Sequence, residues 1–164
     1  MIDIVIPALL PDETYLKLLQ RALTSLELQT FKDFTVKVVL NGCYVEGNTI
    51  QNFLEYDGDI EFIEFKERIF AGKARNLVIK SSTKKYIAQL DADDQFFPTK
   101  LEKQIDFMEK NTNIDILGTM YSILLPNDVI VNGPFYPGQY ENSIDIKRDV
   151  EKINTMACGS IMFR

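Results

Sequence analysis

The sequence contains no histidine. That absence removes imidazole general bases, Ser-His and Cys-His nucleophile systems, haem ligation and His-ligated zinc. Cysteine is scarce as well: only Cys43 and Cys158 occur, far apart and without metal-ligand spacing. They read as buried free thiols of a reducing compartment, with a disulfide as the alternative. Positive charge is in deficit, 18 Lys and Arg against 24 Asp and Glu, for a net charge of −6. A phosphate backbone would find no electrostatic footprint here, so no nucleic-acid partner is expected. No apolar run approaches the roughly 18 residues of a membrane span. The opening Met1-Ile2-Asp3-Ile4 has no basic leader region. The expected location is cytoplasmic, with peripheral contact to a membrane surface left open. Glycine-rich phosphate loops are missing too: no Gly-x-Gly-x-x-Gly occurs, and Lys73 is not followed by Ser or Thr.

What remains is a chain of 164 residues, 46% apolar and 26% charged, the balance of one soluble globular domain. No repeat, linker or low-complexity tract divides it. Strand, turn and helix recur along it. Ile2 to Ile6 is a short apolar run ending at Pro7 and reads as a buried strand. Asp12 is placed to cap a helix whose buried face would carry Tyr15, Leu19, Ala22, Leu23 and Leu26. A β-rich run from Phe34 to Leu40 stops at the turn signal Asn41-Gly42. A third strand is expected over Ile60 to Phe65, then a helix from Gly72 to about Ser81 that buries Ala74, Leu77 and Val78. Tyr86 to Leu90 reads as a fourth strand. Pro98 and the capping box Thr99-Lys-Leu-Glu102 should open a helix that buries Leu101, Ile105 and Met108. Farther on, Ile114 to Leu117 reads as a strand, Pro126-Asn127-Asp128 as a hairpin turn, and Ile146 with Val150 as a short helix. Alternation of this kind predicts an α/β fold with a mostly parallel sheet and helices on both faces. Its ligand would sit beyond the carboxyl ends of the strands.

Two clusters at those ends could do chemistry. Asp91-Ala92-Asp93, followed by Asp94, leaves the fourth strand. If the extended geometry persists, Asp91 and Asp93 project to one side and Ala92 to the other. Carboxylates about 6 Å apart repel by roughly 3 kcal/mol at an effective dielectric of 20. A hard divalent cation, Mn2+ or Mg2+, completed by a diphosphate, would relieve that repulsion. The same string also reads as an ordinary acidic turn. Gly72-Lys73-Ala74-Arg75-Asn76 is the second cluster. Gly72, Arg75 and Asn76 share a face at a helix start, an arrangement suited to an anion or simply to a solvated helix end. Together the clusters supply the cation half and the anion half of a nucleoside-diphosphate site.

In order and spacing these segments resemble the nucleotide-binding half of family 2 glycosyltransferases, which have the GT-A fold. The resemblance runs through Ile4-Val5-Ile6-Pro7, Leu23-Thr24-Ser25-Leu26, Gln29-Thr30, Asp33-Phe34 and Val38-Val39. It continues through Gly72-x-Ala74-Arg75-Asn76, Tyr86-Ile87-Ala88-x-Leu90-Asp91-Ala92-Asp93-Asp94 and Pro98-x-Lys100-Leu101, and ends at Gly159-Ser160-x-Met162-Phe163-Arg164. It implies a GT-A (Rossmann-like) sandwich that moves a sugar from a nucleotide-diphosphate donor to a glycan or other hydroxyl acceptor, with inversion. The donor-binding residues it implies are Pro7, Ala8, Asn41, Arg75, Asp91, Ala92 and Asp93. The metal ligands it implies are Asp91 and Asp93, with Asp94 as an alternative, while Asn76 would hold loop geometry. The chain departs from the family after its second strand, where an apolar Leu40 precedes Asn41-Gly42-Cys43, leaving base recognition to Asn41 or backbone. Its first loop, Pro7-Ala8-Leu9-Leu10, offers no ring to stack on a base. The family's general base lies beyond the Gly-Ser-x-Met-Phe-Arg segment, so no catalytic base is assigned. The chain is expected to be the donor-binding part of a longer protein, without most of its acceptor half. The alternative is a domain that holds a nucleotide sugar without turning it over. A nucleotidyltransferase ranks last, because Pro7 to Asp12 contains no glycine-rich loop.

Overall fold

Seven residues, Ile2–Ala8, form the central strand β1, and their alternation decides how the rest is layered. Ile2, Ile4, Ile6 and Ala8 belong to one apolar cluster and Val5 to another, so the strand is covered on both faces. The computed structural model describes residues 1–42, 50, 52–125, 129–135 and 156–164. Helix α1 (Glu13–Glu27) follows β1, and Asp12 caps it by accepting from the backbone N–H groups of Thr14 and Tyr15. Its buried face is Leu16, Leu19, Ala22, Leu23 and Leu26. Tyr15, expected in that stripe, is 46% exposed. A stripe that begins at Leu16 turns Tyr15 away from the sheet.

Strand β2 (Phe34–Asn41) pairs in parallel with β1, and β3 (Ile60–Phe65) in parallel with β2. Helix α2 (Ala71–Ser81) buries Ala74 and Val78 against Val5, Val39 and Ile87, while Leu77 is only half-buried. Strand β4 (Tyr86–Gln89) joins the other side of β1 in parallel. Helix α3 (Lys100–Lys110) places Leu101, Ile105 and Met108 in the cluster that α1 also covers. Thus α1 and α3 share one face of the sheet and α2 takes the opposite one.

The capping box expected at Thr99 does not form. Thr99 makes no side-chain cap bond, and Glu102 instead accepts from Thr30 Oγ1 at 2.7 Å. Gln29 Oε1 accepts from the Leu101 N–H at 3.1 Å, so a tertiary partner satisfies the donor a local cap would have served.

Strands β5 (Ile116–Leu117), β6 (Tyr121–Leu124), β7 (Ile130–Phe135) and β8 (Met162–Phe163) complete the described elements, with a 3-10 turn at Cys158–Ser160. The six-stranded sheet has the order β3-β2-β1-β4-β8-β5, with β8 antiparallel to both neighbours. β6 and β7 form a separate antiparallel pair. The turn expected at 126–128, the short helix expected around Ile146 and Val150, and Cys43 lie outside the described residues. Cys158 is a half-buried free thiol. Among the described residues no helix is long and apolar enough to cross a membrane.

Candidate functional site

β1 leads toward β2 and β3 on one side, and β4 lies on its other side, so the sheet order reverses between β1 and β4. At such a reversal the crossover connections diverge and leave a crevice outside the carboxyl ends. Ala8, Asn41 and the residues after Gln89 stand at that edge.

β4 stops at Gln89, and the buried Leu90 holds on to β1 through its N–H, which donates to Val5 O at 3.1 Å. The chain then turns. The Asp94 N–H donates to Asp91 O at 3.0 Å, closing a turn over Ala92 and Asp93. Extended geometry therefore does not continue through Asp91-Ala92-Asp93, and a turn sets the positions of the carboxylates. Ala92 packs half-buried against the core, while Asp93 and Asp94 are exposed residues. The Asp94 carboxyl is nevertheless pushed up to about 6, first by burial and then by the charges of Asp91 and Asp93. Negative charge is thus crowded at this corner.

Arg75 reaches the corner from α2 and donates through Nη2 to Asp91 Oδ1, with the two side chains 15% and 34% exposed. Its Nε is buried and has no acceptor. Asp93 and Asp94 carry no ion pair among the described residues, so the guanidinium offsets only part of the acidic charge. Asn76, on the same helix, is exposed.

Asn41 lies on the β2 side of the crevice, and its amide is already engaged. Its Nδ2 donates to Ile69 O, and its Oδ1 accepts from the Ile69 N–H at 2.5 Å. The side chain fastens the end of β2 to the approach of α2. Gly42 follows with φ +64°, and a Cβ there would lie 2.8 Å from Arg68 N. Pro7 is half-buried and Ala8 fully buried, so Ala8 can present only backbone to a ligand.

The structure therefore brings Arg75 together with the turn Asp91–Asp94, and Asn41 together with residues 68–70. Sequence reasoning named Gly159 only as the start of the segment Gly159-Ser160-x-Met162-Phe163-Arg164 and gave it no place in the site. A Cβ on Gly159 would sit 3.0 Å from Asp94 Oδ2, so the turn leading into β8 closes directly on the acidic corner. The partner lies 65 residues away in sequence, so no local signal pointed to the contact.

Would a divalent cation fit? Among the described residues no group of three or more acidic or thiol side chains is gathered as a metal cage. The donors present are hard carboxylate oxygens crowded enough to raise Asp94. That set fits a cation held by one or two carboxylates and completed by ligand phosphates, and does not fit an all-protein cage.

A concavity of about 570 Å³ lies elsewhere, at the amino edge of the sheet, lined by Leu26, Phe34, Tyr56 and the acidic Glu27, Asp57 and Asp59. The Tyr56 phenol is pushed up to about 12, mainly by burial and then by Glu27 and Asp59.

Comparison with known proteins shows the family and the fold. The family model for glycosyl transferase family 2 matches residues 3–164. An uncharacterised glycosyltransferase of Methanocaldococcus jannaschii is 33% identical over 144 residues, which are 86% of this chain and 48% of that protein. The crystal structure of Staphylococcus aureus TarS residues 1–349 with UDP-GlcNAc superposes with a TM-score of 0.71 at 18% identity, covering 99% of this chain and 45% of that one. A Pyrobaculum calidifontis mannosyltransferase in complex with GDP-Man and Mn2+ gives a TM-score of 0.59 at 15% identity, over 77% of this chain and 36% of that one. The chain thus spans about half the length of the M. jannaschii relative it matches.

Proposed function

The chain belongs to glycosyl transferase family 2, and from that premise we propose that its carboxyl-edge crevice holds the nucleoside diphosphate of a sugar donor. The protein would transfer that sugar, with inversion, to a hydroxyl of a glycan or other acceptor. The observation that carries the proposal is the half-buried Arg75 guanidinium, paired with Asp91 and left with a buried, unpartnered Nε beside the acidic turn. Arginine presents a planar fork of donors, and a diphosphate oxygen is the acceptor such a fork matches. Asp93, with Asp91 or Asp94, would hold Mn2+ or Mg2+ against that diphosphate. The ion would supply Lewis-acid stabilisation of the charge on the departing diphosphate. Arg75 orients the anion, and its pairing with Asp91 keeps the acidic turn aimed at the crevice. Gly159 lets the β8 turn approach Asp94 and close that side. The UDP-GlcNAc and the GDP-Man with Mn2+ bound by the two structural neighbours support a donor of this class. A cytoplasmic, reducing location that keeps the Cys158 thiol free belongs to the same proposal.

Thermal melting in the presence of UDP, GDP, dTDP or CDP, each with Mn2+ or Mg2+, tests the proposal. A ligand at 100 times its Kd adds about 2.7 kcal/mol. In a domain of this size that raises Tm by about 5–10 °C. Asp93→Asn, at an exposed residue outside the Arg75 pair, should lose the cation-dependent part of the shift while melting normally alone. Asp91→Asn should lose the shift and also weaken the Arg75 contact. If no nucleotide with either cation moves the melt, the proposal fails.

A further inference from the structure

Phe70, the residue that caps α2, is 90% exposed, more than any other large apolar side chain described. Its backbone is held in place. Phe70 O accepts from the Lys73 and Ala74 N–H groups at 2.8 and 3.1 Å. The preceding Ile69 is clamped on both backbone atoms by Asn41. One residue farther back, the Arg68 backbone packs against Gly42, leaving no room for a Cβ there. A flat ring with only two rotatable bonds is therefore presented, unpacked, from a rigid rim at the β2 side of the crevice. Arg75, one turn further along the same helix, ties that rim to Asp91.

We propose that Phe70 is a base-stacking residue: its ring packs against the nucleobase of the donor whose diphosphate lies at Arg75 and the acidic turn. The inference rests on the donor-site reading above. With phosphates at the end of β4, the nucleoside can extend along the edge toward β2, and Phe70 stands there. Only the base of a nucleotide sugar has an apolar π-face to offer an aromatic ring, and stacking of this kind tolerates any base. The segment Pro7-Ala8-Leu9-Leu10 at the end of β1 provides no competing ring.

The sequence has no tryptophan, so Phe70→Trp installs a single indole reporter. Its fluorescence should be quenched by UDP or GDP with Mn2+ and left unchanged by pyrophosphate with Mn2+. In calorimetric titrations Phe70→Ala should weaken UDP and GDP binding about 5- to 100-fold, the usual worth of one stacked base. It should leave the affinity for Mn2+-pyrophosphate unaltered. Phe97→Ala removes another exposed ring, 57% exposed but tied by its carbonyl to Gln29 at the end of α1, and should change neither. Native-like UDP and GDP affinity in Phe70→Ala, an equal loss of pyrophosphate binding, or absence of quenching in Phe70→Trp would each overturn the inference and leave the donor site standing. Failure of the native chain to bind any of these ligands would remove the donor site and this inference with it.

Discussion

At Gly42 one missing carbon atom sets the shape of the crevice. Its φ of +64° lies in the left-handed region, and the Arg68 backbone fills the space a side chain would need. Gly42→Ala should cost about 2–3 kcal/mol, from left-handed strain plus displacement of the 68–70 segment. Urea denaturation would read the loss as a lower midpoint at unchanged slope. The sequence marked Asn41-Gly42 as the stop of the second strand, and β2 does end at Asn41 because the signal is local. The use of the Asn41 amide was hidden, since its partner Ile69 is 28 residues away. The acidic string shows the same division. Composition and position after a buried strand exposed Asp91, Asp93 and Asp94 as a cluster. A hydrogen bond from Asp94 to Asp91 O then bent the string into a turn that periodicity could not foresee.

Among the elements, α1 and α3 owe their junction to one side chain. Gln29, 1% exposed, donates from Nε2 to Phe97 O at 2.9 Å and Ser25 O at 3.2 Å, and accepts from the Leu101 N–H. Gln29→Leu keeps the volume but strands a buried N–H and a buried carbonyl. A loss of about 2–4 kcal/mol is expected in chemical denaturation, with earlier hydrogen exchange at the amino end of α3. This bond also explains why the Thr99 box misled. Local capping is the default only where no tertiary acceptor arrives first, and Gln29 arrives. Helix stripes were legible where spacing alone decides burial, as in Leu101, Ile105 and Met108. At the edge of a stripe the sheet decides, which is why Leu16 went inside and Tyr15 outside.

For the whole molecule, the parallel order of β1 to β4 was legible from alternating strands and helices, because the crossovers through α1 and α2 favour it. The insertion of β8 was not, because two residues carry no period. What holds that insertion is a network in α3. Gln104 Nε2 donates to Leu117 O at 3.1 Å and to Ser160 O at 3.0 Å, and its Oε1 accepts from Lys100 Nζ at 2.6 Å. Lys100 also lies 3.9 Å above the Phe96 ring, and burial pushes its ammonium down to about 7. A lysine that resists its charge when folded costs stability in full below pH 7. The cost is relieved as pH climbs toward the ordinary lysine value, since the unfolded chain then binds the extra proton. Relative to Lys100→Met, the native chain should therefore gain stability between pH 7 and 10, by at most about 1.4 kcal/mol per pH unit. Paired denaturation curves across that range measure the slope.

The interior place of β8 also governs the order of assembly. Amino-terminal segments leave the ribosome first. Yet among the described strands β5 has no partner in its sheet, and β4 keeps one flank bare, until Met162 and Phe163 follow. At about 5–20 residues per second that wait lasts on the order of several seconds. During it the nascent sheet carries a raw β4 margin, open to a holding chaperone or to a neighbouring polypeptide.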